Sequence, residues 1–209
     1  MKTPKSGIIA SELSKQLKSD PDYQARVRER DAKIEAAIIR AREEQKPILT
    51  DLQAIGIKID SIWSQHLHSK LNREAIDILM KHLKLAYSEG TREGLAVALG
   101  TTLSREYWPV LISEYKNCDN ELENSNTRNR YKDALACTLA KIVSKDTMSE
   151  YVDLLRTRSN GSSRILLLSA LRRSRDPRAR QALEDLADDP DLAKEIAAWK
   201  KRRGKKSIN

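Results

Sequence analysis

The chain has 209 residues, of which 33% are charged and 39% apolar, with no phenylalanine, seven glycines, six prolines and a net charge of +9. That length holds one well-buried domain or about four or five stacked helical hairpins, and the abundance of Ala, Leu, Lys, Arg and Glu points to an all-α fold. No run approaches the roughly 18 consecutive apolar residues of a membrane-spanning helix, and the opening MKTPKSGIIASE lacks the apolar stretch of a secretory signal. A cytoplasmic protein that does not enter the membrane is expected.

In chain order, Ile8, Ile9, Leu13 and Leu17 give a weak helical pattern. Asp20 then caps a long helix with Pro21 in its first turn, and Tyr23, Val27, Ile34, Ala37, Ile38 and Ala41 form one narrow stripe among charges up to Lys46. Pro47 removes a backbone bond and clashes with the carbonyl of Glu43, so the helix is expected to restart there and carry Ile48, Leu52 and Ile55 to a stop at Gly56. These arms make an N-terminal helical hairpin. Ile59, Ile62 and Trp63 follow in a compact connector and look like plugs. Residues 1–70 are therefore read as a cap.

From Asn72 onward a period becomes visible. Ala75, Ile76, Ile78, Leu79 and Leu83 make one helix, and Ser88, Glu89 and Gly90 turn the chain into the next. When Leu99 is laid over Leu139 and Leu171, the segments REGLAVAL, KDALACTL and RILLLSAL coincide in their apolar positions, at offsets of 40 and 32 residues. Each opens with a base: Arg92, Lys132 and Arg164. A base at a helix start opposes the helix dipole, so an acidic group or carbonyl is expected beside each. The clearest copy is 162–186, where Ile165, Leu167, Leu168 and Leu171 stripe a first helix. There Asp176 acts as N-cap, Pro177 takes the first helical position, and Ala179, Ala182, Leu183 and Leu186 stripe a second helix. The companion second helices contain Trp108, Leu111 and Ile112, then Tyr151, Leu154 and Leu155. After Asp191, taken as a cap, Leu192, Ile196 and Trp199 stripe a closing helix, and a basic tail follows with Lys200, Lys201, Arg202, Arg203, Lys205 and Lys206.

This repeated order of first helix, turn and second helix resembles the HEAT repeats, whose period is about 40 residues. The resemblance covers 71–192, and a small stand-alone bacterial member of that family is the type it suggests. It implies an α-solenoid with helical repeats at 71–190, the hairpin cap before them, and a capping helix and basic tail at 191–209. The first two copies lack the Asp-Pro turn, and 117–129 is an Asn-rich insertion.

Little in the sequence carries catalysis. His66 and His68 lie two apart, the wrong spacing for one helix face, and His82 stands alone, so no metal site is expected. Cys118, in a polar loop, and Cys137, on a helix that reads as buried, have no metal or redox spacing and are expected as free thiols. The family resemblance brings two enzyme types to test. Deoxyhypusine hydroxylases hold iron on repeated His-Glu pairs, and this chain contains no such pair. HEAT-like alkylpurine DNA glycosylases stack bases on exposed tryptophans beside an acid, and here Trp108 with Glu106 or Glu114 is the nearest equivalent, since Trp63 and Trp199 read as structural plugs. No cofactor is expected and the chain is read as a non-enzyme.

What remains is surface. In stacked hairpins the second helices line the concave side, so Lys81, Lys84, Glu114, Lys116, Asp153, Arg156, Arg158, Arg178 and Gln181 form a mixed strip that leans basic. The expected partner surface is Lys81, Lys84, Lys116, Arg156, Arg158 and Arg178, joined by Lys200, Lys201, Arg202 and Arg203. The expected function is a scaffold or adaptor docking an acidic protein, with an immunity-type inhibitor as one special case. The alternative is nucleic-acid binding through phosphate contacts, with or without base excision.

Overall fold

The computed structural model describes residues 10–118 and 129–206, with side chains for 12–118 and 129–199. Among these residues every regular element is helical and no strand occurs. Most of the Asn-rich insertion, the first apolar residues Ile8 and Ile9, and the side chains of the basic tail lie outside the described part. The chain divides into two compact units, 1–43 and 44–209.

The first unit holds helix α1 (Ala10–Ser19) and the beginning of α2 (Pro21–Ala54). Asp20 separates them: its carboxylate accepts from the backbone N–H of Asp22 at 2.9 Å and of Tyr23 at 3.2 Å. That is the expected N-cap, with proline at the first helical position. Ile34, Ile38 and Ile39 are all exposed on α2.

The expected restart at Pro47 does not occur, because α2 runs through it to Ala54. The reason is packing. Ile48 and Leu52 are fully buried, and burying two such side chains contributes roughly 3 to 6 kcal/mol, enough to hold helical geometry against the cost of about 3 kcal/mol for an internal proline. Pro47→Ala is therefore expected to raise stability, by about 1 kcal/mol or more, read as a higher midpoint in thermal melts.

The second unit continues with α3 (Leu67–Lys70), α4 (Arg73–Leu83) and α5 (Glu89–Ala98). A 3-10 turn at Thr102–Tyr107 leads into α6 (Trp108–Asn117), followed by α7 (Arg130–Ile142) and α8 (Met148–Arg156). A second 3-10 segment, Arg158–Ser163, precedes α9 (Arg164–Arg173), α10 (Pro177–Asp185) and α11 (Ala193–Lys206). The side chains of Asn72, Asn129 and Asp176 accept from the backbone N–H of Ala75, Lys132 and Arg178 at the starts of α4, α7 and α10. Each fills an N–H that the helix itself leaves unpaired.

Helices α5, α7 and α9 lie side by side, while α6 packs on α7, and α10 packs on both α8 and α9. Leu99, Leu139 and Leu171, the residues on which the three copies superpose, are all buried. Thr138 Oγ1 donates to the Ala96 carbonyl at 2.6 Å, joining α7 to α5 inside the core. Leu192 and Ile196 are buried in the same core, and Trp199 packs against it beneath the guanidinium of Arg172, 4.9 Å from the ring centroid.

The bases that open the three copies face inward, because each sits seven residues, about two turns, before its leucine and so on the same helix face. Arg92 lies 4.0 Å over the Tyr131 ring and pairs with Glu114 at 2.9 Å. Lys132 is buried with its ammonium 5.2 Å from the Tyr115 ring. Arg164 is fully buried, and it, rather than Ile165, continues the inward stripe: Ile165 is 41% exposed. The expectation of a local acid or carbonyl is met most fully here. Arg164 Nε donates to the Leu155 carbonyl at 2.7 Å, Nη2 to Asp189 at 2.7 Å and Nη1 to Asp191 at 3.2 Å. The Asp191 side chain is thus turned to Arg164, and the cap role expected for it before the closing helix is not the one it performs.

Candidate functional site

Of the six expected partner-surface cations whose side chains are described, four are matched by acids. Lys81 meets Asp51 at 3.2 Å, Arg156 meets Asp185 at 2.7 Å, and Arg158 lies 3.6 Å from Asp189. Arg178 folds back on Asp176 at 2.7 Å and also donates to the Lys145 carbonyl and the Ser149 hydroxyl. The Arg178 guanidinium is the main reason the Asp176 carboxyl is held down to about 2. Lys84 and Lys116 are exposed and form no ion pair among the described residues. Lys200, Lys201, Arg202 and Arg203 fall on the backbone of α11, and their side chains lie outside the described part. Among the described side chains of the strip, four cations are thus locally paired and two lysines stand apart.

A different cluster forms where three turns meet. An open groove of about 680 Å³ is lined by Arg105 from the 3-10 turn before α6, Lys141 and Lys145 around the end of α7, and Arg173 and Arg175 at the end of α9. All five side chains are exposed, and none is within ion-pair distance of a carboxylate among the described residues. The floor is mostly apolar, with Ala140, Val143, Met148, Ala170 and Pro177, and Ser144 and Ser174 add two hydroxyls to the lining. Asp176 also lines the groove, but its carboxylate is engaged by Arg178.

Part of this charge has a structural task. Arg105 Nε donates to the Ile142 carbonyl at 3.2 Å and Arg173 Nη2 to the Ala140 carbonyl at 3.3 Å, both in the last turn of α7, where helix carbonyls lack partners. Two helix C-termini, those of α7 and α9, contribute together about one elementary negative charge. Five cations exceed that, so the groove keeps a positive field. Lys141 extends it toward Gly100, at which a Cβ would lie 3.1 Å from Lys141 Nζ. The field also reaches His68, whose pKa is lowered by burial and then by Lys141.

A second polar chain lies between α2 and α4. Asp51 meets His82 Nε2 at 3.1 Å, and the Nδ1 of this buried histidine lies 2.9 Å from the Tyr87 hydroxyl. The hydrogen bond from His82, then that from Lys81, holds the Asp51 carboxyl below its ordinary range, whereas burial and the nearby Asp51 and Glu44 raise the Tyr87 phenol. A phenol whose ionisation is opposed on both counts is no nucleophile, and the chain acts as a latch between helices. The nearby Glu44 carboxylate caps α5, accepting from Ser88 N–H at 3.0 Å, Ser88 Oγ at 2.5 Å and Thr91 Oγ1 at 2.7 Å.

Trp108 cannot serve as a stacking platform. It is 4% exposed, with its indole N–H donating to Glu150 at 2.6 Å, while Glu106 pairs with Arg73 and Glu114 with Arg92. Trp63, expected as a plug, is 48% exposed, and its buried neighbour Ile62 fills that place. Cys137 is exposed on the outward face of α7, against the expectation of burial. No cluster of metal-ligating side chains occurs among the described residues, and no described helix is long and apolar enough to cross a membrane.

The described residues define an all-helical protein with a groove lined by five cations. No protein-family model, curated protein or solved structure matches this chain.

Proposed function

We propose that this chain is a non-enzymatic, HEAT-like helical-repeat scaffold of the cytoplasm that docks an acidic protein partner. The observation that carries the reading is the convergence of Arg105, Lys141, Lys145, Arg173 and Arg175, none with a carboxylate partner among the described residues, on one groove, while Lys81, Arg156 and Arg158 elsewhere are each matched by an acid. Exposed cations left without carboxylates keep a field that steers a negative partner and chooses among partners. The side-by-side packing of α5, α7 and α9, with Leu99, Leu139 and Leu171 buried, supports the repeat plan. The docking surface differs from the one anticipated, lying at the turns rather than along the second helices.

The competing partner class is nucleic acid. The groove holds no aromatic side chain on which a base could stack, and its floor is mostly apolar, which suits a protein better than a phosphate backbone. Fluorescence titration of labelled poly-glutamate and of random duplex DNA against the purified chain tests this. Poly-glutamate is expected to bind at physiological salt and to weaken as salt shortens the Debye length from about 8 Å. Duplex binding tighter than about 1 μM at that salt, stronger than ordinary non-specific association, would overturn the reading in favour of nucleic acid.

A further inference from the structure

We infer that the groove formed by the three turns receives a short acidic segment of a partner protein that carries one apolar anchoring side chain; the inference rests on the scaffold reading and specifies its ligand. The wall and the floor ask for different chemistry. The wall offers three guanidinium and two ammonium groups, which match carboxylates: a guanidinium presents paired N–H donors to both oxygens of an acid. The floor, built of Ala140, Val143, Met148, Ala170 and Pro177 with Ser144 and Ser174 as the uncharged polar members of the lining, offers a seat to an aliphatic group. Met148 is the adaptable member, since an unbranched thioether reshapes to fit what lies on it.

The remaining hydrogen-bonding capacity points the same way. Arg105 and Arg173 each give one donor to a carbonyl of α7 and keep other N–H groups for an incoming acid. Lys141, Lys145 and Arg175 make no ion pair with a carboxylate among the described residues. A groove of about 680 Å³ lies within the size range of sites that enclose a few side chains, not a whole domain. A purely polar acidic chain would leave the floor wet, and a purely apolar one would leave the cations unmatched.

Three labelled peptides of equal length test the idea against the full chain: glutamate throughout, glutamate with one central leucine, and glutamate with one central serine. The leucine peptide is expected to bind about 10-fold tighter than the serine peptide, the factor that burying one aliphatic side chain gives. Lys141→Glu with Arg175→Glu is expected to abolish binding of all three, while Lys84→Glu leaves it unchanged. Both sites are exposed, and an unaltered melt establishes that the double variant folds. Equal affinity for the leucine and serine peptides, still lost in the double variant, would overturn the anchored-segment inference while leaving the scaffold reading standing. Failure of every acidic peptide to bind would overturn both.

Discussion

Arg164→Met is expected to destabilise the protein by about 3 to 5 kcal/mol, the usual cost of removing one partner from a buried ion pair. The guanidinium is fully buried and serves three acceptors on two segments that are far apart in sequence: Leu155 at the end of α8, and Asp189 and Asp191 before α11. Its loss leaves Asp189, itself 8% exposed, charged without its main partner. The double variant Arg164→Met with Asp189→Asn is therefore expected to recover part of the loss, since the stranded charge goes with it. Chemical denaturation of the two single variants and the double closes the cycle, and additive losses would mean that the pair does not interact. Acid gives an independent reading. Burial opposes ionisation of Asp189, yet the hydrogen bonds from Arg164 and from the Asp191 backbone, with the charges of Arg164 and Arg158, outweigh it and leave the carboxyl below its ordinary value. A folded-state value below the unfolded one stabilises above the unfolded pKa of about 4, and that contribution is lost as pH falls through the depressed value. The wild type is expected to lose more stability between pH 7 and pH 3 than Asp189→Asn does.

The second large effect is expected at Gly94. A Cβ there would lie 2.5 Å from Ile62 Cδ1, 2.9 Å from Ile62 Cγ1 and 3.0 Å from Trp63 Cε2. Ile62 has little room to retreat: it is 4% exposed, and its backbone N–H is tied to Gln45 Oε1 at 3.0 Å. Gly94→Val is expected to cost about 3 kcal/mol by overpacking, against a helix-propensity gain of less than about 1 kcal/mol. Gly94→Ala should cost less, and Ile62→Val, which removes the closest atom, should relieve part of it. Equal effects of Gly94→Ala in the wild-type and Ile62→Val backgrounds would show that the two side chains do not collide.

Helix positions were the most legible feature of the sequence, because caps and apolar spacing act locally. Asp20 with Pro21 and Asp176 with Pro177 mark helix starts that the structure places at the same residues. The register of α9 was less legible, since apolarity favours Ile165 for the inside whereas tertiary pairing with Asp189 and Asp191 takes Arg164 there. Pro47 misled for a related reason: a local breaker was overruled by burial of Ile48 and Leu52. The groove was hardest to foresee. Its cations come from two helix ends and the turns beside them, most of them unrelated by any period, and the pairing of Arg156 and Arg158 involves Asp185 and Asp189, far along the chain. One signal was present, since Lys141 and Arg173 stand two residues beyond Leu139 and Leu171, equivalent places in two aligned copies.

Backbone amide chemical-shift mapping of the isotope-labelled chain, titrated with the leucine-bearing acidic peptide at physiological salt, tests the location of the docking surface most directly. Strong perturbation of residues 140–148 and 170–177, with little change around Lys81, Lys84, Lys116, Arg156 and Arg158, is the predicted result. Perturbation centred on those last five residues, with the three turns unmoved, would contradict it.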